Sequence, residues 1–100
     1  MLNIKKSIEN GEAVFALEGR LDTITAPELE RELRGSLEDV KLLTLDFGGV
    51  SFMDSSGIAV VMRCRQRMRE LGGTVTLRRV APQPRRVFDA SGVTKLIAIE

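Results

Sequence analysis

The chain has 100 residues, 43% of them hydrophobic and 29% charged, with a net charge of +1. Such values suit one folded domain spanning residues 1–100 and argue against a disordered chain. The absence of histidine and the presence of one cysteine, Cys64, exclude Ser/His nucleophilic catalysis, an intramolecular disulfide and most zinc sites.

Leu2 to Ile8 and Ala13 to Glu18 are β-prone runs separated by Glu9, Asn10, Gly11 and Glu12, and Asn-Gly is a strong hairpin signal. Thr25 with Glu28 makes a capping-box pattern, Pro27 sits in the first turn, and Leu29, Leu33 and Leu37 recur at four-residue spacing. Together these predict a helix over 27–37. Leu42 to Phe47 reads as a buried strand, followed by a loop and a helix over 56–71 that Gly72 and Gly73 close. Thr74 to Val80 alternates as a strand. Pro82 and Pro84 introduce a third helix ended by Gly92, and Leu96 to Ile99 reads as a last strand. Strands alternating with helices imply parallel pairing through right-handed crossovers, with the hairpin as an antiparallel edge. The expected fold class is α/β, a small mixed sheet of four to five strands packed against three to four helices. In such sheets the loops after the carboxyl ends of the strands form the functional edge, and the loop at Ser55 lies there.

No apolar run approaches the roughly 20 residues needed to span a bilayer, and Met1 to Ser7 lacks a following apolar segment of signal-peptide type. The expectation is a cytoplasmic protein without membrane insertion. Residues 63–86 carry Arg63, Arg65, Arg67, Arg69, Arg78, Arg79, Arg85 and Arg86 against Glu70 alone. On a helix, Arg63 and Arg67 fall on one side and Arg65 and Arg69 on another, and no tyrosine or tryptophan interleaves them, so direct nucleic-acid binding is not expected. Val60, Val61, Cys64, Met68 and Leu71 form the stripe that should face the sheet, with Cys64 a small buried hydrophobe. Ile58 and Met62 lie on its shoulder beside Arg65 and Arg69, a combination suited to a partner surface.

Asp54, Ser55, Ser56 and Gly57 join a strand to a helix start, where backbone N–H groups lack partners and partial positive charge accumulates. A serine there is either an N-cap or the carrier of a phosphate. Without histidine, a G-x-S-x-G elbow or a Gly-rich phosphate loop, no enzyme is expected. Asp22, Asp46 and Asp54 are the one carboxylate set that could in principle hold magnesium, against the plainer reading of Asp46 as a hydrogen-bonded residue at a strand end.

The ordered set Leu17 to Asp22, Phe52 to Gly57, Gly72 to Val75 and Arg86 to Gly92 resembles the anti-sigma factor antagonists, which have the STAS fold, over nearly the whole chain. The resemblance implies a partner-switching protein that binds an anti-sigma factor with serine kinase activity and thereby releases a sigma factor. It also implies phosphorylation of the first serine of the D-S-[ST]-G motif, here Ser55, with reversal by a PP2C-type phosphatase and Ser56 left for capping. Asp22, Asp54, Ser56, Gly57, Ile58, Met62 and Arg65 are then the candidate partner-binding residues, and no cofactor is expected. Family members commonly carry an acidic residue where this chain has Arg20, which implies a different partner choice. The alternative is a STAS accessory module of a transporter or signalling scaffold in which Ser55 is never modified.

Overall fold

The computed structural model describes residues 1–100. Strands β1 (Leu2–Glu9) and β2 (Glu12–Leu21) form the opening hairpin, and both Asn10 and Gly11 have positive φ, 52° and 80°, as a type I′ turn requires. Helix α1 (Ala26–Arg34) leads to β3 (Leu42–Met53), α2 (Ser55–Glu70) to β4 (Thr74–Arg78), and α3 (Pro82–Ser91) with a 3₁₀ turn to β5 (Ala98–Ile99). The five strands lie in chain order across one sheet, antiparallel between β1 and β2 and parallel elsewhere. The expected mixed α/β sheet is present.

Alternation explains how the sheet acquires a covered and an open face. Ala13, Phe15, Leu17, Leu43, Leu45, Phe47, Val75 and Leu77 are buried, whereas the interleaved Val14, Ala16, Thr44 and Thr76 stay partly exposed. The core takes Leu29 and Leu33 from α1, Val60, Val61, Cys64 and Met68 from α2, and Phe88 from α3. Phe88 meets Phe47 edge to face at 5.3 Å, which seats α3 on the middle of β3.

Several boundaries differ from the sequence expectation. The first helix stops at Arg34 rather than Leu37, because the chain turns at Gly35, yet Leu37 still reaches the core from the turn that follows. The expected capping box does not form. Thr25 takes the N-cap position, but its hydroxyl donates to the Arg20 carbonyl at 2.7 Å and accepts from the Asp22 N–H at 2.9 Å. β3 does not end at Phe47 but continues through Gly48 and Gly49 to Met53, with shifts in its register against β2. A Cβ at Gly49 would sit 2.9 Å from the Leu17 carbonyl oxygen, so glycine permits the irregular pairing that carries the strand on.

Candidate functional site

The long β3 delivers its last residue, Met53, beside the end of β2, where Met53 pairs with Leu21 and the Asp54 N–H donates to the Leu21 carbonyl at 3.2 Å. The chain then enters α2. Its N-cap is Asp54, in extended conformation, whose carboxylate accepts from the Ser56 N–H at 2.8 Å. The expectation that Ser56 serves as cap is therefore corrected. A carboxylate reaches the second N–H of the helix and also suits the positive end of its dipole, so the serines are released from that duty. Ser55 is exposed, Ser56 is half-buried, and neither hydroxyl makes a hydrogen bond within the protein.

Gly57 is buried rather than displayed. A Cβ there would lie 2.6 Å from Met53 Cγ and 2.9 Å from Leu21 Cδ2, so glycine lets the first turn of α2 settle onto the ends of β2 and β3. The other edge of Met53 is held by a side chain absent from the sequence reading. β4 pairs with β3 only as far as Asp46, which leaves the later part of β3 without a neighbour on that side. Gln83 of α3 fills the gap at Met53, accepting from its N–H at 2.8 Å and donating to its carbonyl at 3.0 Å. Only the fold brings Gln83 to Met53, 30 residues away in sequence.

Asp22 belongs to the neighbouring loop, and its carboxylate is already engaged. One oxygen accepts from the Ile24 N–H at 3.0 Å and the Thr25 N–H at 3.1 Å, and the Thr25 hydroxyl lies 3.2 Å away. The hydrogen bond from the Thr25 N–H, helped by that from Ile24, holds this carboxyl below the usual carboxylate range. The tight loop presents Ile24 with 78% of its surface exposed, another residue the sequence reading passed over. Arg20, at the foot of the loop, stacks over the Phe52 ring at 4.3 Å.

The structure brings together Asp22, Asp54, Ser55 and Ser56 at one edge of the sheet, and Ile58 lines a cleft with Ser55. Met62 is half-buried farther along α2. Arg65 lies about 15 Å from Ser55 at helical rise, beside Arg69 and the start of β4, so it does not share the Ser55 cleft. The three aspartates do not converge into a magnesium site. Asp46 instead accepts from Arg78 and Arg79 at 3.0 and 2.8 Å and from the Gly48 N–H at 2.9 Å. Burial disfavours its charge, but these donors outweigh burial and bring its pKa to about 2. Cys64 is buried, and burial raises its thiol to about 12, which suits a packing role.

Three helices cover one face of a small mixed sheet, and a capped helix presents a free serine at the sheet's carboxyl edge. The family model described as the STAS domain matches residues 3–100, and the chain belongs to that family. The anti-sigma-B factor antagonist of Bacillus subtilis is 26% identical over 98 residues, covering 98% of this chain and 90% of the relative. The anti-sigma factor antagonist SpoIIAA in its unphosphorylated form superposes with a TM-score of 0.87 at 23% identity, covering 98% of this chain and 88% of SpoIIAA. A sulfate transporter family protein from Wolinella succinogenes shares the fold with a TM-score of 0.78 at 17% identity, over 93% and 76% of the two chains. No helix is long and apolar enough to cross a membrane.

Proposed function

We propose that this protein is a cytoplasmic anti-sigma factor antagonist whose activity is switched by phosphorylation of Ser55. In the unmodified state it binds an anti-sigma factor that is also a serine kinase, and the sigma factor held by that partner is released. The observation that carries this reading is the exposed Ser55 hydroxyl, unbonded beside a helix cap that Asp54 already supplies. In the switching step Ser55 Oγ bonds to the γ-phosphorus of ATP, the bond to ADP breaks, and the hydroxyl proton passes to a base on the kinase. A PP2C-type phosphatase hydrolyses the product. The docking surface comprises the Asp22 loop, Asp54, Ser55, Ser56 and Ile58, and extends along α2 to Met62 and Arg65, with buried Gly57 holding the helix in place.

Phosphate adds about 1.5 to 2 negative charges and three acceptor oxygens to a surface that already bears Asp22 and Asp54. Repulsion and desolvation at the centre of an interface cost a few kcal/mol, which is orders of magnitude in affinity, so no large rearrangement is required. Incubation with the cognate anti-sigma kinase and ATP, followed by peptide mass spectrometry, should place phosphate on Ser55. Ser55→Ala should abolish the incorporation and Ser56→Ala should retain it; phosphate on Ser56 alone overturns the assignment. The likeness to a transporter-family protein favours one second reading, a fixed accessory module. Failure to bind any anti-sigma kinase, together with co-purification with a transporter, would select it.

A further inference from the structure

Ser55 and Ile58 of α2 line a cleft of about 430 Å³ whose other wall is Gln83, Arg86, Val87, Ala90 and Ser91 of α3. No carboxylate borders this cleft, and Arg86 is its one cationic side chain. The other arginines of this end of the chain are committed: Arg85 to Asp89 at 3.2 Å, and Arg78 and Arg79 to Asp46. Arg86 is exposed and takes part in no ion pair or hydrogen bond within the protein. Its helix cannot drift away from Ser55, because Gln83 is joined twice to Met53 two residues before the serine and Phe88 is packed on Phe47.

We propose that Arg86 receives the phosphate carried by Ser55, closing the mouth of the cleft between α2 and α3. This rests on the phosphorylation of Ser55 proposed above. A guanidinium presents paired donors that match phosphate oxygens, and an uncommitted arginine gives up no existing partner to make the pair. The phosphate is tethered to one wall and Arg86 to the other, so their association spans Ile58 and Val87 and covers the apolar part of the docking surface. Phosphorylation then acts in two ways at once, charging the rim and hiding the apolar wall.

The pairing is tested on protein carrying phosphoserine at position 55 by co-translational incorporation, which needs no kinase. A ³¹P NMR titration reads the second ionisation of the phosphate, and a guanidinium in contact lowers it because it favours the dianion. In R86Q this midpoint should rise by about one unit while the helix N-terminus, common to both proteins, is unchanged. Methyl resonances of Ile58 and Val87 should shift on phosphorylation in the parent and lose most of that shift in R86Q. Arg86 is a surface residue, and an unchanged melting temperature verifies the fold of the variant. Equal phosphate midpoints in the two proteins overturn the pairing. Absence of kinase-catalysed transfer to Ser55 strikes the switch reading instead, so the two failures are distinguishable.

Discussion

Ile24 belongs to the Asp22 loop of the docking surface proposed above. Its side chain is 78% exposed, yet the backbone on either side is held by Asp22 and Thr25, so little entropy remains to be lost on docking. Asp22 thus shapes this loop as well as charging it. Full burial of such a side chain is worth about 1.5 to 3 kcal/mol. Ile24→Ser should therefore weaken binding to the anti-sigma partner by about tenfold or more in titration calorimetry, with the melting temperature unchanged. An unaltered affinity would remove Ile24 from the interface. Arg20, stacked on Phe52 and 3.8 Å from the Asp22 carboxylate, is the neighbouring position at which charge preference should be read.

The same local logic governs the elements, and it marks how far the sequence reached. Hairpin, alternation and the stripe of α2 were all legible, because Asn10-Gly11, the apolar periods and the terminal glycines act over a few residues. The sequence does not separate the cap at Asp54 from the two serines that follow, because aspartate and serine both cap helices, and only backbone geometry at the strand end chooses among the three positions. The Gln83 bridge was invisible: a glutamine in the first turn of a helix carries no sign that an unpaired strand edge lies opposite. Gln83→Ala leaves the Met53 N–H and carbonyl without those partners in a partly buried position, which should cost about 1 to 3 kcal/mol in denaturant unfolding. The Met53 amide should also exchange with solvent faster in hydrogen-exchange measurements, since the joint between α3 and β3 is loosened. Unchanged protection at Met53 would show that the bridge does not secure the switch loop.

Across the whole molecule, the open sheet face and the switch edge are connected through Asp46. Its carboxylate sits among small and polar neighbours on the uncovered face, joins β3 to Arg78 of β4, and draws in Arg79, whose φ of 56° turns the chain out of β4 toward α3. This turn leads into α3, which carries the Arg86 wall of the Ser55 cleft. Asp46 has a folded pKa of about 2 against an ordinary value of 3.8. A depressed carboxylate pKa stabilises the folded state fully above the unfolded value, and the contribution is lost as pH falls from about 3.8 through about 2. Asp46→Asn keeps the shape but removes the charge that both guanidiniums bond. It should lower stability by about 1.5 to 3 kcal/mol at neutral pH, the range for hydrogen bonds to a charged group. As the solution is acidified through that window the two proteins should converge, because the parent loses what the variant never had. Chemical denaturation at a series of pH values measures this directly. A constant difference between parent and variant across the window would mean that the Asp46 charge does not hold β3, β4 and the approach to α3 together.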